Sequence, residues 1–211
     1  MNRMGSVPRV QRISRVAHPA GVRRAQSVYF TLIDSIRLTL VAVKKFPRIK
    51  ATMSIEPQEL RRVMGHFATG VTVITTQDKD GNPNGLTANA FMSLSLNPPL
   101  VLISVDKSAQ CYACFNLQNG FTVNFLSEDQ EEVSRRFATK GIDKFAGLQW
   151  HPGQNGAAIL DAALGYVECK ITQCYDGGDH TIVVGEIVNA NATGERPLLF
   201  FQGKYQRLPD S

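Results

Sequence analysis

Long apolar runs are missing from this 211-residue chain. None approaches the roughly 18–20 residues that a membrane-spanning helix needs, so a transmembrane segment is rejected. Cysteine is scarce: four residues are too few for a disulfide scaffold, and the chain reads as a reduced, cytoplasmic protein. The four histidines, His18, His66, His151 and His180, do not cluster in sequence, which leaves a histidine metal centre unsupported. No Gly-x-Ser-x-Gly elbow, Walker loop or Gly-x-Gly-x-x-Gly fingerprint is present, so the common hydrolase, phosphate-loop and dinucleotide-fold signatures are excluded.

The composition is that of a globular protein, with 43% hydrophobic and 19% charged residues. The net charge of +5 hides two unlike parts. Residues 1–52 hold eleven Lys/Arg and one acid, Asp34, whereas residues 53–211 hold twelve Lys/Arg and seventeen acids. The basic character therefore belongs to a tail, and it argues little for nucleic-acid binding by the body. Residues 1–25 are rich in Arg with Pro and Gly and show no hydrophobic period, which reads as disorder. The tail has the look of a leader, but Asp34 and Arg37 interrupt its apolar stretch and no cleavage site follows. A true start at Met53 and a real extension of unassigned role are the two readings. The folded domain is expected over residues 53–211.

In the body, residues 54–69 have apolar positions Leu60, Val63, Met64 and Phe67 at helical spacing. Val71–Thr76 is β-branched and reads as a strand. Gly85–Leu96, Leu100–Val105 and Phe121–Leu126 follow as strand candidates. Ser108–Gln118 and Ser127–Ala138 read as helices, the second through the capping-box spacing of Ser127 and Gln130. Residues 140–160 read as loop, with the single tryptophan, Trp150. Leu164–Cys174, His180–Val188 and Pro197–Tyr205 complete six or seven strands. Strands outnumber helices and do not alternate with them, so the fold expected is mainly β: an antiparallel barrel with peripheral helices.

Cys111-x-x-Cys114 invites a metal or redox reading, but Cys169 and Cys174 are five apart and would face opposite sides of a strand. Buried structural cysteines are the better reading. The stretch Thr87–Ser95 mixes small polar and small apolar side chains, a composition suited to the edge of a flat heteroaromatic ligand. Asp106-Lys107-Ser108 closes an apolar strand at the start of an expected helix, where free amides, a lysine and a hydroxyl suit a phosphate. Arg135 and Arg136 lie on the next helix, and only one of two adjacent residues would face that site. His180 opens a strand after the turn Asp176–Asp179.

Taken in order, HFATGVTVITT, GLTANAFMSLSLNPPLVLISV, DKS, FTVNFLSEDQEEVSRRFA, DKFAGLQW, GGDHTIVVGEIV and PLLFFQGKY resemble the short-chain flavin reductases, the reductase components of two-component flavin monooxygenases. The resemblance covers about residues 56–206. It implies an FMN-binding split β-barrel of Greek-key, mostly antiparallel topology, normally a homodimer. It implies hydride transfer from NADH or NADPH to FMN or FAD, with the reduced flavin passed to a flavin-dependent monooxygenase. It assigns Thr87, Ala88, Asn89, Ala90 and Phe91 to the isoalloxazine, with Ser93 and Leu94 beside it. Asp106, Lys107 and Ser108 would take the phosphate, and Asn124, Phe125 and Arg136 would be lesser contacts. His180 would be the catalytic residue on the nicotinamide side, with Phe200, Phe201, Gln202, Gly203 and Tyr205 holding the pyridine nucleotide. Many relatives have Ser where this chain has Ala90. A flavin-bound oxidase or ferric reductase on the same barrel, and nucleic-acid binding through the tail, are the competing readings.

Overall fold

The computed structural model describes residues 55–193 and 196–209. The extension expected over residues 1–52, and the division at Met53, lie outside the described residues. In chain order the elements are α1 (Pro57–Met64), β1 (Thr69–Gly70), β2 (Thr72–Gln77), β3 (Pro83–Ala88), β4 (Phe91–Leu96) and β5 (Pro99–Asp106). A 3-10 turn (Tyr112–Cys114), β6 (Gly120–Phe125), α2 (Glu131–Ala138), β7 (Trp150–Pro152) and β8 (Ala158–Leu160) follow, then β9 (Gly165–Gly177), β10 (His180–Ala192), β11 (Leu199–Phe201) and β12 (Lys204–Gln206).

Seven strands form one sheet in the order β3-β2-β6-β9-β10-β5-β4, with every pairing antiparallel. The two edge strands, β3 and β4, are joined by Asn89 and Ala90 alone. A two-residue link cannot span an open seven-stranded sheet, so the sheet curls until its edges meet. The result is a barrel split along the β3–β4 seam. β6 pairs with β2 rather than with its predecessor β5, and the β9–β10 hairpin fills the space between, which is Greek-key order.

β2 is buried along five consecutive residues, which explains why its sequence is β-branched without alternation. Ile74 points into the barrel core with Val101, Ile103, Phe121 and Val183. Val73 points outward into a second cluster with Leu126, Phe137, Leu160 and Leu198, beneath α2. Inside the barrel a Cβ on Gly185 would stand 2.6 Å from the Phe121 ring, so β10 needs glycine there for β6 to approach.

Three expected helices are corrected. Ser108–Gln118 is not a helix, because side chains take its backbone groups: Asp106 Oδ1 accepts from Ser108 N–H at 2.7 Å, and Asn116 Oδ1 accepts from Gln118 N–H at 3.0 Å. Residues 127–130 precede α2. Gln130 Oε1 accepts from Ser127 N–H at 3.0 Å, half of the expected box, while Ser127 bridges to Pro197. α1 stops at Met64, and Leu60, Val63, Met64 and Phe67 are exposed in the single chain. The stretch Gly85–Leu96 divides into β3 and β4, and part of the expected loop 140–160 forms the β7–β8 hairpin.

Burial pushes the Cys111 thiol up to about 11 and that of Cys169 up to about 12, while Cys174 is exposed. Thiol reagent added to the native chain near pH 8 is expected to modify Cys174 first, because it is the exposed thiol, whereas Cys111 and Cys169 are buried and Cys114 is half-buried. Cys111 and Cys169 should react only after unfolding. Fast labelling of Cys111 in the folded chain would contradict its structural role.

Candidate functional site

The seam where β3 turns into β4 is held from three sides. Thr72 Oγ1 donates to Ala88 O at 2.6 Å, Thr87 Oγ1 donates to Ser134 O at 2.5 Å, and Ser104 N–H donates to Ala90 O at 3.1 Å. The Phe91 ring lies against Phe125, centroids 5.4 Å apart. The bond from Ser104 brings residues 87–91 within two residues of Asp106. Beyond the seam the β4–β5 register shifts between Ser93 and Ser95, and Ser93 and Leu94 are exposed on the sheet edge.

Residues 106–108 form a turn that is internally saturated. Ser108 N–H is spent on Asp106, whose carboxyl is held below the ordinary range chiefly by that bond. Lys107 N–H donates to Asp179 O at 3.0 Å. Lys107 Nζ pairs with Asp176 and donates to Gly178 O at 2.5 Å. The pairing raises the Lys107 pKa and lowers that of Asp176. The cation that reaches Ser108 is Lys140, whose Nζ lies 3.1 Å from Ser108 O and 3.4 Å from its Oγ. Sequence reasoning missed Lys140, because 32 residues separate it from Ser108 and no motif links them. The helix N-terminus expected at Ser108 does not exist.

Across the turn, His180 is the backbone partner of Asp106, and its Nδ1 lies 2.7 Å from Asp179 Oδ1. That contact, first among its causes, lowers the Asp179 pKa. It leaves Nε2 as the ring nitrogen available to a substrate.

Asn124 does not belong to this surface. Its side chain is fully buried: Nδ2 donates to Val73 O at 3.2 Å and Ala158 O at 3.3 Å, and Oδ1 accepts from Leu160 N–H at 2.8 Å. It fastens β8 to the barrel. Arg136 is directed to the next loop, donating to Ala146 O at 2.7 Å.

The β11–β12 hairpin turns at Gln202 and Gly203, both at positive φ, the backbone of a tight hairpin turn. Gln202 N–H donates to Gly65 O at 2.8 Å, and the Phe201 ring stands edge-on to His66. Tyr205 packs edge-on against Phe200, lies under the Arg135 guanidinium at 4.9 Å, and shares a 2.8 Å hydrogen bond with Ser134 Oγ. Ser134 therefore ties the β3–β4 seam to this hairpin, through its carbonyl on one side and its hydroxyl on the other. Sequence reasoning missed Ser134; the signal that could have found it is the single hydroxyl within the charged run EEVSRRFA. The bonds of His180 and of the hairpin run to different partners.

The described residues form clefts away from the seam, among them the following pair. One, of about 490 Å³, lies between α2 and residues 147–149 and 160–162. The other, of about 200 Å³, lies between residues 83–85, 110–111 and 142–145. Neither is lined by residues 87–95. Among the described residues no three metal-ligating side chains cluster, and no helix is long and apolar enough to cross a membrane.

Residues 64–209 match the flavin reductase-like domain family. HsaB, the reductase subunit of a flavin-dependent monooxygenase from Mycobacterium tuberculosis, is 42% identical over 154 residues, covering 72% of this chain and 82% of that protein. Among solved structures, nitrilotriacetate monooxygenase component B from Mycobacterium thermoresistibile is 41% identical, with a TM-score of 0.69 over 72% of this chain and 86% of its own. The NADH:FAD oxidoreductase SgcE6 of Streptomyces globisporus, solved with NAD and FAD fragments, is 39% identical. Its TM-score is 0.69, over 75% of this chain and 98% of its own.

Proposed function

The chain belongs to the flavin reductase-like domain family, and on that premise we propose how its surface serves an NAD(P)H:flavin oxidoreductase that supplies reduced flavin to a partner monooxygenase. The observation that carries the reading is the meeting of the β3–β4 seam with the end of β5, through the 3.1 Å bond between Ser104 N–H and Ala90 O. The donor set suits a flavin. β3 and β4 are edge strands, so one backbone row of each is unpaired within the sheet, and Asn89, Ser93 and Ser95 add polar groups beside it. Ser108 and Lys140 stand at the end where an anionic tail would lie.

A bound flavin would supply the redox chemistry, taking up hydride from the nicotinamide nucleotide. The residues of this chain orient and polarise. Thr87, Ala88, Asn89, Ala90 and Phe91 seat the ring, with Ser93 and Leu94 alongside; the edge amides favour the negative charge of the reduced ring. Ser108 and Lys140 hold the phosphate, while Asp106 and Lys107 shape the turn that presents them. His180 faces the nicotinamide through Nε2, and the hairpin from Phe200 to Tyr205 holds the pyridine nucleotide. Keeping two rings in register removes much of the entropic barrier, so no acid–base triad is needed.

A homodimer completes the site. Met92, Leu94 and Leu96 are exposed on the same edge strand, Leu96 at 91%, and α1 adds an uncovered apolar face. A second copy would cover this patch and close the open side of the flavin. Steady-state kinetics crossing NADH and NADPH with riboflavin, FMN and FAD are expected to show flavin-dependent oxidation of the nicotinamide, by a species of dimer mass in light scattering. Background rates at saturating FMN and FAD with both nucleotides would end the reductase assignment.

A further inference from the structure

The two parts of the molecule assigned above to flavin and to nucleotide belong to different sheets. The seam is part of the seven-stranded sheet, whereas the hairpin from Phe200 to Tyr205 is part of a separate sheet of β1, β11 and β12. Backbone bonds anchor that hairpin at its entry, where Val71 N–H donates to Leu198 O and Leu198 N–H donates to Leu126 O. They anchor it again at its tip, where Gln202 N–H donates to Gly65 O. β12 lies beyond both anchors as an edge strand, paired with β11 alone among the described residues.

α2 joins the two sheets. On one side it is fastened to β3. A Cβ on Gly85 would stand 2.9 Å from the Phe137 ring, so the bare backbone of β3 lets the helix come this close. Lys144 Nζ donates to Gly85 O at 2.9 Å and to Phe137 O at 2.8 Å, bridging strand and helix. Thr87 Oγ1, within the seam, donates to Ser134 O at 2.5 Å. On its other side the helix directs two adjacent residues at one ring. Ser134 Oγ shares a 2.8 Å hydrogen bond with Tyr205 OH. The Arg135 guanidinium lies over the same ring at 4.9 Å and is itself held by Glu131 Oε1.

Ser134 is fully buried, one turn before the equally buried Phe137. A serine inside a helix usually turns its hydroxyl to water or back to the carbonyl four residues earlier. Here the hydroxyl crosses to β12 instead. Burying it costs desolvation, and alanine would fill the same space with better helix propensity. The folding of α2 therefore does not account for the hydroxyl, whereas the bond to Tyr205 does.

We propose that Ser134 is a positioning residue for hydride transfer. Its hydroxyl fixes Tyr205, and with it the nucleotide-holding hairpin, at a set distance from the flavin seam, which its own carbonyl holds through Thr87. The proposal rests on the reductase reading given above. Being buried, Ser134 acts through these two neighbours and not on either ligand. A displacement of about 1 Å between reacting groups can cost on the order of 100-fold in rate. Releasing one tether of a hairpin that keeps two backbone anchors costs less.

The test uses the full chain with Ser134→Ala, Tyr205→Phe and the double variant, all of which delete the same bond. Ser134→Ala keeps the Thr87 bond, which ends on the backbone carbonyl. Hydrogen exchange of the flavin-free chain is read by mass spectrometry. Amides of residues 199–206 should exchange at least about fivefold faster in each variant, and those of residues 83–88 at the parent rate. Anaerobic stopped-flow reduction of FMN and FAD by NADH and NADPH then gives the limiting rate of hydride transfer. That rate should fall about tenfold in each single variant and no further in the double variant, with flavin dissociation constants within about twofold of the parent. Unchanged exchange over 199–206, or an unchanged limiting rate, overturns the positioning role while a flavin-reducing parent still upholds the reductase. Weaker nucleotide binding at a preserved limiting rate also overturns it, and makes Tyr205 a simple nucleotide contact. Additive losses in the double variant overturn the shared bond. If Ser134→Ala does not fold, Tyr205→Phe carries the same test at a half-buried ring. A parent chain that reduces neither flavin overturns the reductase reading and this proposal together.

Discussion

Ala90→Glu is expected to abolish flavin turnover while leaving the fold intact. Ala90 is exposed at the seam, and its only described bond is through the backbone, from Ser104 N–H to its carbonyl. A longer side chain therefore costs little in stability; exposed substitutions of this kind usually stay within about 0.5 kcal/mol. Against the flavin it acts twice. It fills the space where the ring would rest, and it brings a carboxylate to the place where the reduced ring gathers negative charge. The expected loss is roughly 100-fold or more in kcat/KM for flavin, about 2.7 kcal/mol, with an unchanged melting temperature. An unaltered flavin KM would remove the seam from the site. Ala90→Ser adds a hydroxyl without bulk and serves as the conservative control.

Asn124→Ala should do the opposite: damage the fold and spare flavin affinity. Removing the side chain leaves Leu160 N–H without its acceptor, in a buried position. Ala158 O keeps its bond from Thr75 Oγ1, so the loss is partial. An orphaned buried amide plus the lost packing is worth about 3 kcal/mol, a drop of roughly 6–12 °C in melting temperature for a domain this size. Thermal unfolding followed by circular dichroism checks the first part, and flavin KM of the folded fraction checks the second. A tenfold rise in flavin KM with unchanged melting would return Asn124 to the flavin site.

These two residues mark the limit of what was legible. A short polar residue in a strand next to an aromatic, as Asn124 is beside Phe125, has the same local pattern whether it faces a ligand or a buried hairpin. The answer lay in β8, 34 residues away, which sequence reasoning treated as loop. The phosphate end was half legible for a related reason. Asp106-Lys107-Ser108 was recognisable as a strand end, but Lys107 is claimed by Asp176 and Ser108 N–H by Asp106, while Lys140 arrives from beyond α2. Local hydrogen bonds also explain the missing helix after Ser108, since Asp106 and Asn116 side chains accept from backbone amides and Asn119 donates to the Cys114 carbonyl, groups that a helix would use.

What followed from residue order alone was the mainly β class, most strand positions and the family, because alternation, β-branching and turn residues are local and survive without knowledge of partners. Barrel closure needed the pairing order, which shows β3 and β4 at opposite edges of a sheet yet two residues apart in the chain. The same long-range folding chose Lys140 over Lys107 beside Ser108 and made Ser134 the link between seam and hairpin. Side-chain roles of this sort depend on which groups compete for a given donor or acceptor, and those competitors come from distant parts of the chain.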